Sequence, residues 1–571
     1  MKSKTITGAK ILLESLYRLG VTDIFGYPGG SVLKIYDELY NFKKIKHYLA
    51  RHEQGAIHEA DGYARSSGKV GVCLATSGPG VTNIVTGIMT AHMDSVPLLA
   101  ITGQVQTTLL GTDSFQETDI VGITIPITKT NYLVTDIKDL PRIIKEAHYL
   151  SKTGRPGPVL IDIPKDIQTS KITISEFEEL FNEELKLEGY VPTYKGHNGQ
   201  IKRASELIKN SKNPLIISGA GILKSKASEE LIAFAEKIEA PVTCTLLGLG
   251  GFPSTHPLMT GMLGLHGRVA ANYATNHADL IIAAGMRFDE RVTGNIKKFC
   301  PNAKIIHIDI DPAEIDKNII SNVPIVGDLK YVLNKFNTTL EKLVHKNWIE
   351  QVNTWKKDYP LIIPDSKDIL APQYVFNKIN KSLKEDTIIA TDVGQHQMWT
   401  AQFIDFDNPN SLISSGGAGT MGFGLPAAIG AQIANPNKNI VLIVGDGSLQ
   451  MTMQELILLK EFNLPVKILI INNSCLGMVR QLQEVFNEKR YSQVNLTYNP
   501  DFIKIGEAYG IKSIKLSTKE EIDHNLENLM NLNEPIIIEF IVDKKQNVLP
   551  MIPGNSSVEE MIGKKGVDLN D

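Results

Sequence analysis

Two apolar runs, residues 440–444 and 466–471, each stop abruptly at small polar residues: Gly445-Asp446-Gly447 after the first, Asn472-Asn473 after the second. Between them Leu449, Met453, Leu456 and Ile457 recur with helical spacing. The separation suits one strand–helix–strand crossover of about 30 residues. Asp446 and Asn473 would then emerge together at the carboxyl edge of neighbouring strands, where open α/β sheets bind ligands. A carboxylate and an amide oxygen make a poor zinc site but a good partial shell for Mg²⁺, which takes its other ligands from phosphate and water. Gly445 and Gly447 let a diphosphate approach the backbone, and a helix opening at Ser448 would aim its N-terminal dipole there. Gly-Asp-Gly alone is a common turn; with Asn-Asn at this spacing it is far more specific.

Such tips need parallel strands to carry them. Short β-branched runs recur without alternation as VGVCLAT, VPLLAIT, PVLIDIP, PLIIS, ADLIIAAG, KIIHIDID, TIIATDVG, NIVLIVG, VKILIIN and PIIIEFIV, with helical segments between them. Runs apolar throughout read as strands covered on both faces. The expected class is α/β, with three consecutive doubly wound parallel-sheet domains at 1–170, 195–340 and 370–545. A tail, 546–571, could fold over a site as a lid. Residues 170–200, without strand signal, and 338–372, rich in Lys, Glu and Asn, read as linkers with surface helices.

At 571 residues the chain is too long for a single core. A net charge of −4 gives no electrostatic case for nucleic acid or an acidic membrane. The four cysteines, Cys73, Cys244, Cys300 and Cys475, form no C-x-x-C pair, which fits reduced thiols better than a disulfide framework or a zinc knuckle. The N-terminus runs straight into an amphipathic helix with no signal or transit segment, and no apolar stretch reaches the ~18 residues of a membrane span. A cytoplasmic protein is expected, or a stromal one if the chain is plastid-encoded.

Other residues could join this chemistry. In LARHEQGAIHEADGYARSSG, Glu53 follows an apolar run and begins a helix. Zinc fits poorly there: His52 and His58 fall about 240° apart round a helix, and no H-E-x-x-H occurs. Met421 occupies a glycine-rich bend, SSGGAGTMGFGLPAAIGAQ, where a long flexible side chain can serve as a wedge. Gln395 and His396 stand in a loop-like TDVGQHQMW. Asp309 stands near the end of KIIHIDID, where an acid can accept a ribose hydroxyl. No strand is followed by G-x-G-x-x-G, so a simple NAD dehydrogenase is excluded.

The Gly-Asp-Gly…Asn-Asn pattern resembles the cofactor motif of thiamine diphosphate-dependent enzymes. The resemblance implies that Asp446, Asn473 and the backbone carbonyl of Cys475 hold Mg²⁺ against the cofactor's diphosphate. It makes Glu53 the acid that activates the aminopyrimidine, and Met421 the apolar wedge that bends the cofactor. Gly29, Gln395, His396, Gly419, Gly445, Gly447, Ser448, Gly477 and Met478 match positions around the same cofactor.

Stretches in all three units, among them IFGYPGGSVLKIYDEL, GTDSFQETDIVGI, TGRPGPVLIDIPKDIQ, GMLGLHGRVAANYA, GMRFDERVTG and NNSCLGMVRQLQ, are similar to the acetolactate synthase (acetohydroxyacid synthase) catalytic subunits. GLHGRVAANYATNHADLIIAAGMRFDERVTG and HIDIDPAEI look like the biosynthetic, FAD-containing type. That implies a flavin held by Arg155, Gly219, Gly221, His266, Gly285, Arg287, Asp309 and Asp328. It also implies pyruvate and 2-oxobutanoate as substrates, Gln116, Phe115 and Lys165 lining their approach, and Arg291 receiving the acceptor carboxylate. A homodimer or homotetramer is implied, with Glu53 and Asp446 of one site coming from different chains, and a separate small regulatory subunit. Gln106, Glu290 and Leu482 depart from the family's common Pro, Asp and Trp. A pyruvate oxidase-like enzyme, whose flavin accepts electrons, is the nearest alternative; a non-catalytic homologue is the more distant one.

Overall fold

The computed structural model describes residues 4–364 and 370–565. Three six-stranded sheets dominate it. The first holds β2 (Asp23–Gly26), β3 (Lys46–Leu49), β4 (Gly71–Ala75), β5 (Leu98–Gln104), β6 (Thr130–Leu133) and β7 (Pro158–Pro164), in the order β3-β2-β4-β5-β7-β6. The second holds β9 (Pro214–Ser218), β10 (Val242–Cys244), β11 (Met259–Met262), β12 (Leu280–Ala284), β13 (Lys304–Asp309) and β14 (Val323–Val326), in the order β11-β10-β9-β12-β13-β14. The third holds β15 (Ile388–Thr391), β16 (Leu412–Ile413), β17 (Ile440–Gly445), β18 (Lys467–Asn472), β19 (Lys512–Leu516) and β20 (Ile536–Ile541), in the order β16-β15-β17-β18-β20-β19. The sheets are parallel, as unalternating apolar strands require. All ten apolar runs singled out in the sequence are strands of these sheets.

The chain divides into two compact units. One comprises the chain up to Val191 with Ser415–Leu442 and Ser448–Val466; the other comprises Pro192–Ser414, Ile443–Gly447 and the chain from Lys467 onward. In the first unit the helix Glu53–Ser67 lies against the helix Gly424–Ala434 at backbone distance. Gly62 and Gly430 permit this, since a Cβ on either would strike the other helix's main chain. Apolar side chains cover both faces of the first sheet, one layer around Leu13, Ile144 and Ile161, the other around Ile57, Ala60 and Leu160.

Three segments differ from the sequence expectation. A strand, β1 (Thr5–Thr7), precedes the first helix and pairs antiparallel with β8 (Lys171–Thr173), inside the stretch expected to lack strands. Three residues are too few to show a period, but Ile6 faces Ile172 in the register and both are buried. The helix Lys346–Asp358, expected on the surface, buries Trp348 and Val352 in the central core, with the Trp348 indole N–H donating to Pro214 O at 2.9 Å. The tail docks on the helix Val269–His277: Ile552 and Met561 pack with Leu265, Val269 and Tyr273. Residues 566–571 of the expected lid lie outside the described residues.

Candidate active site

In the second unit, β15, β17 and β18 are neighbours, and Asp446 and Asn473 each stand one residue beyond their strand. Both are buried, at 1% and 8% exposure. The Asp446 carboxyl accepts the Asn473 and Gly447 backbone N–H groups and, at 2.7 Å, the Asn499 amide. Burial nevertheless pushes it up to about 6. Asn473 Oδ1 accepts the Cys475 N–H at 3.2 Å, and Asn473 Nδ2 donates to Gln395 Oε1 at 3.2 Å. Gln395 is fixed in turn by Gln481 and the Gln546 carbonyl, each at 3.0 Å. Burial pushes the Cys475 thiol up to about 11, so its backbone oxygen, not its sulfur, is the donor suited to Mg²⁺.

Two expectations need correction here. The helix expected to open at Ser448 is a single turn, Asp446–Leu449, followed by the 3₁₀ turn Met453–Glu455 and the helix Leu456–Glu461; four residues sum too few peptide dipoles to matter. Gln395 and His396 are not in a loop: they open the nine-residue helix Gln395–Phe403, immediately after Gly394 at φ 151°. Donors for an anion therefore come from that helix and from Gly477–Phe486, which starts beside Asn473. A Cβ on Gly477 would lie 2.5 Å from Asn473 Nδ2. His396 Nε2 is buried without a partner, and burial holds the ring neutral, down to about 3. A nitrogen buried without a partner among the described residues, next in sequence to the Gln395 that holds Asn473, fits a diphosphate and its metal.

The first unit carries Glu53 in the first turn of its helix, with His52 capping Gln54 N–H. Glu53 Oε2 accepts the Asn83 amide at 3.0 Å. A Cβ on Gly80 would stand 3.3 Å from Glu53 Oε1, and one on Gly29 would collide with Thr76, whose Oγ1 accepts the Ser31 N–H. These glycines let their backbones close on Thr76, Gly80 doing so beside the acid. Gly78, at φ 65°, abuts Gln116, itself at φ 61°. Met421, half-buried, lies between Gly419 at φ 63° and Gly422 at φ 86°, in the expected bend.

In chain order the central strands run 3-2-1-4-5-6, the dinucleotide-binding arrangement, with its switch point between β9 and β12. Gly219 and Gly221 follow β9, and Gly285, at φ 65°, follows β12. Gly219 N–H donates to Ala284 O at 2.9 Å, and a Cβ on Gly221 would lie 2.6 Å from Gly285 Cα. The glycines thus let two backbones meet at the switch point. Asp309 ends β13 and accepts the Asp311 N–H at 2.9 Å, while Asp328 caps the helix Leu329–Thr339. His266 Nδ1 is buried without a partner, a second atom suited to a bound group. Arg287 is half-buried, and Arg155, in the other unit, donates to Ser95 Oγ at 2.9 Å.

Three family models match the chain: thiamine pyrophosphate enzyme, N-terminal TPP binding domain, over residues 6–123; central domain, over 201–336; and C-terminal TPP binding domain, over 392–540. An acetolactate synthase large subunit of Lactococcus lactis subsp. lactis is 48% identical over 100% of this chain and 98% of its own length. One of Cyanidium caldarium is 46% identical over 98% and 97%, and a probable one of Methanocaldococcus jannaschii is 46% identical over 97% and 95%. The chain belongs to the acetolactate synthase large-subunit family.

The chain is accordingly a thiamine diphosphate-dependent enzyme. The residues expected at the substrate, unlike those expected at the cofactor, lie open in this acetolactate synthase family member. Phe115 is 88% exposed, and Lys165, itself exposed, opens a short helix after β7 that buries Ile167 and Gln168. Among the described residues Arg291 pairs with Glu290, at 3.7 Å, and both side chains are largely exposed, a contact of little energetic weight. Leu482 is half-buried on the helix Gly477–Phe486. Sequence reasoning missed Asn499, a lone amide in a proline-bearing loop with no period to mark it. Its Nδ2 reaches Asp446 and, at 3.4 Å, Asn472 Oδ1, bridging the two strand tips.

Proposed function

We propose that the chain catalyses the acetolactate synthase reaction of branched-chain amino acid biosynthesis. It decarboxylates pyruvate and joins the two-carbon unit to a second pyruvate, giving 2-acetolactate, or to 2-oxobutanoate, giving 2-aceto-2-hydroxybutanoate. The observation that carries this reading is identity of 46–48% to acetolactate synthase large subunits over almost the whole chain. Bound thiamine diphosphate supplies a carbon nucleophile and an electron sink for both steps. Asp446, Asn473 and the Cys475 carbonyl would hold Mg²⁺, with His396, Gln395, Gly477 and Met478 about the diphosphate and Gly29, Gly419 and Met421 about the rings. The Glu53 carboxyl would hold the proton that activates the pyrimidine, assistance worth ~10²–10⁴ in rate. Gln116, Phe115 and Lys165 would border the substrate channel and Arg291 would orient the acceptor carboxylate. FAD would sit at the central switch point, with Gly219, Gly221, Gly285, Arg287, Asp309, Asp328 and His266 around it and Arg155 contributing by resemblance.

A homodimer or homotetramer in which Glu53 of one protomer serves Asp446 of its partner, and a separate regulatory subunit, complete the proposal. Among the described residues no helix is long and apolar enough to cross a membrane, and a cytoplasmic or plastid-stromal enzyme is proposed on that footing. Product analysis with pyruvate, thiamine diphosphate, Mg²⁺ and FAD, each omitted in turn, tests the whole. Acetolactate formation dependent on thiamine diphosphate and Mg²⁺ is expected; flavin bleaching by pyruvate with peroxide release would replace it by an oxidase.

A further inference from the structure

We infer that Asp94 is a positioning residue for Met421, acting through the bend that carries it; this rests on Met421 facing the cofactor, as in the proposed function. Asp94 follows the helix Val85–Met93 and is 3% exposed. Its Oδ1 accepts the Gly417 N–H at 2.7 Å and its Oδ2 the Gly416 N–H at 3.1 Å. The same Oδ2 accepts Arg65 Nη2 at 3.0 Å, while Arg65 Nε donates to Asp61 at 2.5 Å. The buried Arg65 guanidinium is therefore shared between two buried carboxylates, and neutral donors add to what holds Asp94. The two glycine amides are such donors, and bonds to an ionised acceptor are the strong ones.

The far side of the bend is gripped as well. Thr420 Oγ1 meets Thr90 Oγ1 at 2.7 Å, Thr420 N–H donates to Ser415 Oγ at 3.0 Å, and Gly422 O accepts Thr452 Oγ1 at 2.9 Å. Phe423 lies under the Arg65 guanidinium, 5.2 Å from ring centre to carbon. Met421 is thus suspended between two residues held in place, with flanking glycines at positive φ that set the turn. A flexible thioether makes a defined wedge only where its backbone is fixed this way.

Asp94→Asn keeps the shape but points an amide donor at other donors. In the purified full-length chain without cofactor, hydrogen exchange at Gly416 and Gly417 should quicken about tenfold or more. With saturating thiamine diphosphate, Mg²⁺ and FAD, kcat should fall by up to about 10²-fold while KM for pyruvate holds. In a Met421→Ala background the same change should cost less than about twofold more, since both act on one element. An equal loss in both backgrounds would mark Asp94 as a general stability residue and overturn the inference, as would unchanged exchange at the two glycines. Met421→Ala leaving kcat intact would instead remove the reading of Met421 on which it rests. If Asp94→Asn does not fold, Thr90→Val, which strips Thr420 of its hydroxyl partner, enters the same cycle under the same criteria.

Discussion

Numbered along the chain, the six strands of the first sheet and the six of the third are laid down in one order, 2-1-3-4-6-5, each with its switch point between first and third strands. The residues just beyond the strand ends differ. After the first strand come Gly29 in one sheet and His396 in the other; after the second, Glu53 and Met421; after the third, Gly78 and Gly80 against Asp446. The sixth strands share a device: Asp162 on β7 accepts Gln104 Nε2 from the end of β5, and Glu539 on β20 accepts Asn472 Nδ2 from the end of β18. In each case the carboxylate's register partner lies two residues before the amide it holds. The shared order settles where a ligand can be met, and the residue types at the tips make the two places chemically unlike.

Exchanging the roles should break the enzyme in different ways. Glu53→Gln is expected to lower kcat by ~10²–10⁴ with cofactor binding retained, measured by steady-state rates and calorimetric titration. Asp446→Ala should abolish Mg²⁺-dependent cofactor binding itself. Mixing the two inactive variants should restore part of the activity, because some mixed dimers then hold one intact site; no recovery would refute the assignment of the two residues to different protomers. Glu539→Leu leaves the Asn472 amide unpaired beside Asn473 and should raise the Mg²⁺ concentration for half-activity by ~10–100-fold.

Asp162 tests the matching device in the first sheet. Burial pushes its carboxyl up to about 7, against hydrogen bonds from Thr102 and Gln104 that favour the ionised form, with Asp119 adding to the rise. A raised acid favours the folded chain while protonated, so stability should be lost as pH climbs through about 7. Asp162→Asn should flatten thermal unfolding midpoints between pH 5 and 7. The smallest expected effect is at Leu482: replacement by Trp should raise preference for 2-oxobutanoate over pyruvate about tenfold in a competition assay.

The strands legible in the sequence were the interior ones. β4, β5, β7, β9, β12, β13, β15, β17, β18 and β20 are flanked on both sides and read as unbroken apolar runs. β2 and β10 are interior too but run only four and three residues, and the others lie at an edge, too short, like the two residues of β16, or half-exposed, like β19, to carry a pattern. The placing of Asp446 and Asn473 on neighbouring strand tips was legible because two unlike strand ends repeated one oddity at crossover spacing. Asn499 and Asp94 were not, because their partners are distant in sequence and only the fold brings them near. Helix continuity after Asp446 was overread: the apolar spacing of Leu449, Met453 and Leu456 survives while Gln450–Thr452 breaks the hydrogen-bond ladder.

The pairing of β1 with β8 bears on synthesis. Ile6 cannot be covered until its partner Ile172 has been made. At typical elongation rates the wait is on the order of 10–30 s. Through that interval the β1 segment stays unpaired on the growing chain.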